Sequence, residues 1–117
     1  ALAHLDRNPD PALHAELAER GAFLLYDGAG KVRYHPDSLL VELVERMAEA
    51  GHAGSVLLGG DTGRRSHLRA HGGGPGMAHL FAVLVPRLRK ALGGELVDRL
   101  VVANPARAFA FEPTSGP

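Results

Sequence analysis

Four side chains able to bind a cation or move a proton stand at the ends of short apolar runs. His4 and Asp6 follow Ala1–Ala3, Asp27 follows Ala22–Tyr26, and Asp61 follows Val56–Leu58 and two glycines. A neutral imidazole and a carboxylate are the usual ligands of a hydrolytic zinc or related divalent ion. A carboxylate can also exchange a proton without leaving its place. Asp61 has a second reading as a turn aspartate after Gly59-Gly60. The next helical pattern starts well downstream, so Asp61 has no adjacent helix to cap, and the glycines permit close backbone approach. His4 taken alone reads as a structural histidine. Its interest comes from sharing a sheet edge with Asp61, and two such ligands still leave a metal site incomplete.

Beyond Asp61 lies a basic and polar cluster, Arg64-Arg65-Ser66-His67. It reads either as a solvated loop or as a loop placed to contact substrate. Lys31 and Tyr34 hold the equivalent position in the preceding connection. His14, His52 and His79 lie in or beside helical patterns and read as solvated or partly packed, and His35, next to Pro36, reads as a loop residue. The stretch His71 to Gly76, "HGGGPG", could hold an anion on exposed N–H groups ahead of a helix. It lacks the lysine of a P-loop, which favours a flexible connection.

The elements that must position these groups follow from periodicity. Asp10-Pro11 is a helix start, with a side-chain acceptor at the N-cap and proline where no N–H is missed. Leu13 and Leu17 recur at helical spacing and Gly21 closes the helix. Ala22–Tyr26 is a continuous apolar run suited to a strand buried on both faces. Asp37 or Ser38 caps a second helix with the apolar stripe Leu39, Leu40, Leu43, Val44 and Met47, ended by Gly51. Val56–Leu58 is the next strand. A third helical segment runs from Met77 to Leu92, with Pro86 expected to kink or divide it. Glu95–Ala103 and Pro105–Phe109 read as two closing helices, and 112–117 as a flexible tail. Strands alternating with amphipathic helices imply a parallel sheet, whose ligands sit at the carboxyl ends of the strands. His4, Asp6, Asp27 and Asp61 all fall at that edge.

Bulk properties narrow the function. The 117 residues balance 13 acidic against 13 basic side chains, which removes the electrostatic case for nucleic acid or an anionic membrane. Cysteine is absent, so disulfides and thiolate metal sites are excluded and a reducing, cytoplasmic setting is expected. No apolar run approaches the ~20 residues of a membrane span. The chain opens without Met on a strand already under way, as expected of a piece of a longer polypeptide.

In order, "HLDRNPDP", "YDGAGKVRYHPDS", "LLGGDTGRRSHLRAHGGGPG" and "NPARAF" resemble the phosphotriesterase-related proteins of the amidohydrolase superfamily, nearest its phosphotriesterase homology branch. The resemblance runs from about His4 to Phe111. It implies a TIM (β/α)8 barrel of which residues 1–111 form the C-terminal portion, strands six to eight with their helices. It implies two divalent metal ions, zinc first, with manganese, cobalt or iron as the other choices. A hydroxide bridging the metals would attack a lactone or other ester-type substrate, phosphotriesters included. His4 then matches a ligand of the more exposed metal. Asp61 matches a ligand of the buried metal that also takes the hydroxide's proton, and Asp6 matches a group that moves this proton outward.

The resemblance assigns the loop from Gly59 to His71 to the substrate pocket, and substrate contact is expected of Asp27, Arg64, Arg65 and His67. Phosphotriesterases proper carry a histidine after the seventh-strand aspartate where this chain has Gly28, which speaks for the homology branch. The histidine pair of strand one, the carboxylated lysine of strand four and the histidine of strand five have no counterpart. The implied partners are a small ester or lactone, the N-terminal part of the same barrel and a second copy in a homodimer, with no nucleic acid and no membrane. The rival reading is a non-catalytic barrel fragment serving as a binding or interaction module.

Overall fold

Asp10 accepts hydrogen bonds from the amides of Ala12 and Leu13 at 3.1 and 3.3 Å, so α1 runs Pro11–Glu19 as its capping residue dictates. The computed structural model describes residues 1–111, and the expected flexible tail at 112–117 lies outside them. Gly21 and Gly51 take φ of +89° and +82° just beyond their helices, where a side chain would be strained. β1 is Leu24–Tyr26, α2 is Asp37–Glu49 and β2 is Val56–Leu58. The two strands pair in parallel, Leu24 beside Val56 and Tyr26 beside Leu58.

The first expected strand is reduced to one parallel bridge, Leu2 with Leu24, closed by Leu2 N–H to the Phe23 carbonyl at 2.8 Å and Leu25 N–H to the Leu2 carbonyl at 3.0 Å. Alternation along the strands sends Leu24, Tyr26 and Val56 to the helix side. There they join Leu40, Leu43, Val44 and Met47 of α2 in one core. Leu25 and Leu57, side by side in the register, face the opposite way.

Neither Asp37 nor Ser38 caps α2. Asp37 is its first residue and spends its carboxylate on the Gly30 amide at 2.8 Å and on His79 Nε2 at 2.9 Å, tying together the connections before α2 and before the third helical segment. Pro86 does not break that segment. A π-helical stretch, Leu80–Leu84, leads directly into α3, Val85–Leu92. The same device recurs in the closing run, which is continuous rather than two helices: α4 Gly94–Asp98, a π stretch Arg99–Ala103, then α5 Asn104–Ala108 carrying Pro105. A proline lacks the N–H for the bond to residue i−4 and crowds that carbonyl. A wider turn just before it accommodates both problems without ending the helix. Among the described residues no helix is long and apolar enough to cross a membrane.

Two buried polar contacts fix the sheet at its ends. Asn104 Nδ2 donates to the carbonyls of Ala53 and Val56 at 2.7 and 2.8 Å, holding the start of β2 against α5. His14 is fully buried rather than solvated or partly packed. Its Nε2 meets the Asn8 carbonyl at 2.7 Å and its Nδ1 meets the Tyr26 hydroxyl at 2.8 Å. A carbonyl accepts only, so Nε2 carries the proton and Tyr26 donates to Nδ1. Burial, with the nearby Asp6 charge, pushes the Tyr26 hydroxyl above the usual tyrosine range, so it stays a donor. His14→Leu keeps the volume and leaves the buried Tyr26 hydroxyl and the part-buried Asn8 carbonyl without this partner. It should cost about 2 kcal/mol of stability in the complete protein, read from denaturant melts. An unchanged midpoint would mean these contacts hold nothing.

Candidate metal and substrate site

The chain turns sharply at the ends of the first and third apolar runs. His4 and Asp61 both adopt left-handed backbone, φ +59° and +44°, a conformation that costs a non-glycine residue on the order of 1–2 kcal/mol. Such strain persists where the surroundings over-determine it, and it clusters at functional sites. The consequence is convergence. One potential ligand atom from each of His4, Asp27 and Asp61 lies within 4.8 Å of the others.

His4 Nδ1 sits 2.7 Å from Asp27 Oδ2. Asp27 is buried, and its second oxygen, Oδ1, has no hydrogen-bond partner among the described residues. Asp61 is more open, with Lys31 Nζ 2.9 Å from its Oδ2 and Arg7 at 3.8 Å. Lys31 also donates to the Asp61 carbonyl, which locks its otherwise flexible ammonium in place. The Lys31 hydrogen bond is the main cause that holds the Asp61 carboxyl below the usual aspartate range. Burial opposes it, and the charges of Lys31, His4 and Arg7 add to it. Behind this layer Asp6, fully buried, accepts from the amides of Asp27 and Gly28 at 3.2 and 2.9 Å and meets His35 Nε2 at 2.6 Å.

In front of the layer opens a cleft of about 580 Å³. Its lining includes Arg7, Lys31, Arg33, Tyr34, Arg64 and His67, and Asp61 is the one carboxylate among the described lining residues. Arg7 stacks 4.0 Å from the Tyr34 ring centroid and Arg33 lies 5.2 Å from it. An anionic small molecule suits these walls. The Gly-rich stretch closes one side and is pinned rather than free: Gly74 and Gly76 amides donate to the carbonyls of Ser66 and His67 at 3.0 and 2.8 Å, and a side chain at Gly73 would collide with the Ser66 carbonyl.

The structure therefore gathers His4, Asp27 and Asp61 at one point, puts Arg64 and His67 on the cleft, and sets Asp6 behind it. Asp27 lies under His4 and away from the cleft wall, and Arg65 turns toward His71, 3.4 Å between Nη2 and Nδ1. Sequence reasoning overlooked Arg7 and took His35 for an ordinary loop residue. His35 is buried. The available signal was that the fully apolar runs leave Asp6 beneath the strand ends, where a buried carboxylate needs a donor from some other connection.

These features define a class: a parallel α/β layer whose strand ends present imidazole and carboxylates to a cationic cleft. A model of the phosphotriesterase family matches residues 1–109. The chain is 32% identical over 118 residues to a phospho-furanose lactonase of Mycoplasmopsis synoviae, spanning 95% of this chain and 33% of that one. It is 32% identical over 109 residues to the phosphotriesterase homology protein of Escherichia coli, spanning 92% and 37%. Among solved structures, a lactonase from Listeria monocytogenes superposes with a TM-score of 0.89 at 34% identity, over 94% of this chain and 35% of that one. The Escherichia coli phosphotriesterase homology protein, complexed with phosphate in its active site, gives 0.83 at 30% identity over 89% and 36%.

The chain belongs to the phosphotriesterase family. It spans about a third of the length of the curated relatives it matches, and so represents part of a barrel in a family of hydrolases.

Proposed function

We propose that the complete protein is a binuclear metal-dependent hydrolase of lactones carrying an anionic group, and that this chain supplies strands six to eight of its barrel. The carrying observation is the meeting of His4, Asp27 and Asp61, with His4 and Asp61 lining a cleft walled by cations and Asp27 buried beneath His4. The donor set fits a divalent ion: an imidazole and two carboxylates, one of which, Asp27, has a buried oxygen that lacks a partner among the described residues. His4 and Asp61 would hold metal, zinc being the first choice for such ligands, and the remaining ligands would come from the rest of the barrel. When bound, the ions supply an acidified water and polarise the scissile carbonyl.

The chain's own residues account for the rest of the chemistry. Asp27 accepts from His4 Nδ1–H, which fixes the tautomer and leaves Nε2 for a ligand role. Asp61 Oδ2 takes the proton released as the ester carbon is attacked, and the neighbouring Lys31 keeps that carboxylate ionised until then. Asp6 accepts hydrogen bonds from the Asp27 and Gly28 amides and so holds the backbone that carries Asp27. Lys31, Arg7 and Arg64 orient the substrate's anionic end, for which the phosphorylated furanose lactone named for a relative is the model. The alternative, a non-catalytic binding or interaction module, draws on the small number of ligand-type groups that these described residues alone bring together.

Metal analysis and lactonase assays on the complete protein decide between them. The proposed reading requires about two divalent ions per chain and faster turnover of phosphorylated than of plain furanose lactones. Metal-free protein without esterase activity would establish the alternative. Within the cleft, Arg64→Ala should raise KM for a phosphorylated lactone about tenfold, the loss of one charge-assisted contact, with metal content unchanged. Arg65→Ala, on a side chain turned toward His71, should leave KM within about twofold. Equal effects of the two would place substrate elsewhere than against the Arg64 face.

A further inference from the structure

Residues 28 and 35 claim the same space. A Cβ on Gly28 would lie 2.5 Å from Asp6 Oδ2 and 2.7 Å from His35 Nε2, closer than a carbon can approach either atom. Gly28 takes an ordinary φ, so backbone freedom does not explain the glycine. Space does. The His35 ring fills it, held by Asp6 at one nitrogen, 2.6 Å away, and by the Pro36 carbonyl at the other, 3.0 Å away. Because the carbonyl only accepts, Nδ1 carries a proton, and a further proton lies between Nε2 and Oδ2.

We propose that His35 is a positioning residue that acts through Asp6 on Asp27 and thereby on His4, and that it serves only while residue 28 has no side chain. Asp6 is fully buried and carries the amides of Asp27 and Gly28 on its two oxygens. A carboxylate in that setting holds one orientation only if its remaining lone pairs are satisfied, and His35 supplies that donor. With Asp6 fixed, the backbone at Asp27 is fixed, and with it the direction of the carboxylate that sits 2.7 Å from His4 Nδ1. Remove the ring and Asp6 gains freedom to turn toward the space it left. The Asp27 amide then loses its anchor and His4 loses its orienting partner. The part of this inference that concerns turnover rests on the lactonase reading above, and the part that concerns His4 does not.

The test uses the complete protein with ring-15N-labelled histidine, and the variants His35→Leu, His35→Gln and Gly28→Ala. His35→Leu should lower kcat on a phosphorylated furanose lactone about tenfold, the low end for disturbing an outer partner of a ligand, with KM within about twofold. His35→Gln, whose amide can reach Asp6, should recover most of that loss. The His4 ring signals should move in His35→Leu and Gly28→Ala and stay near wild type in His35→Gln. Gly28→Ala should do less harm on a His35→Ala background than on wild type, because the contact with the ring is gone and Asp6 then has room to turn away from the new methyl group. Unmoved His4 signals in both His35→Leu and Gly28→Ala, or additive effects of the Gly28 and His35 substitutions, would overturn the proposal. Should the wild-type protein hydrolyse no lactone, the functional reading fails while the His4 signals still decide this one. Should His35→Leu fail to fold, Gly28→Ala and His35→Gln carry the test.

Discussion

Replacing Asp61 by asparagine is expected to lower lactone turnover by about two or more orders of magnitude, the scale on which positioned acid–base groups act. The shape of the side chain survives the change. Its charge and basicity do not, and both proposed roles depend on them. The substitution also deprives Lys31, buried and 2.9 Å away, of its counter-charge, so a metal measurement must accompany the kinetics. Near-normal turnover with full metal occupancy in Asp61→Asn would remove Asp61 from the mechanism. His4→Ala provides the comparison: occupancy of one metal should fall more than that of the other. Equal, undiminished occupancy of both would count against His4 as a ligand.

The second large effect concerns residues 1–117 produced alone. They should self-associate, bind divalent ions poorly and show no lactonase activity. β2 pairs on one side only among the described residues. Large apolar side chains lie in solvent, Phe81 61% and Met77 74% exposed. Open parallel edges and bare apolar surface of this kind drive association. A complete barrel takes ~200 residues or more. Supplying the N-terminal part of the barrel in trans should restore some metal binding and activity together. A monomeric, cooperatively melting product with stoichiometric metal, seen by light scattering, calorimetry and metal analysis, would instead establish a small self-contained α/β domain.

Much of the frame was legible because it rests on local rules. The Asp10 cap, the glycines after α1 and α2, and the two apolar strands each depend on neighbours a few residues away. The strand-end placement of His4, Asp6, Asp27 and Asp61 then follows from topology. What stayed hidden depends on distant partners. His35 is buried because Asp6, 29 positions earlier, needs its proton, and His14 because Tyr26 and the Asn8 carbonyl need its two nitrogens. No periodicity encodes either. The π stretches before Pro86 and Pro105 are a third case: sequence locates the missing N–H but not whether the helix breaks or widens around it. Asp37 escaped for the opposite reason, since a local rule claimed it as a cap while two remote donors took its oxygens.

The Asn104 clamp bears on how such a protein can change over generations. It grips the first residue of β2 through the Val56 carbonyl and the turn just before it through the Ala53 carbonyl, whereas Asp61 and the loop beyond it leave from the other end. One short strand is thus anchored at one terminus and exploited at the other. Substitutions from Arg64 to His67 leave the Asn104 contacts untouched, so that loop can drift through many sequences while the strand keeps its place. A change at Asn104 buys no such variety, because it loosens every loop variant alike. Random libraries confined to residues 62–67 should accordingly retain folded members at high frequency.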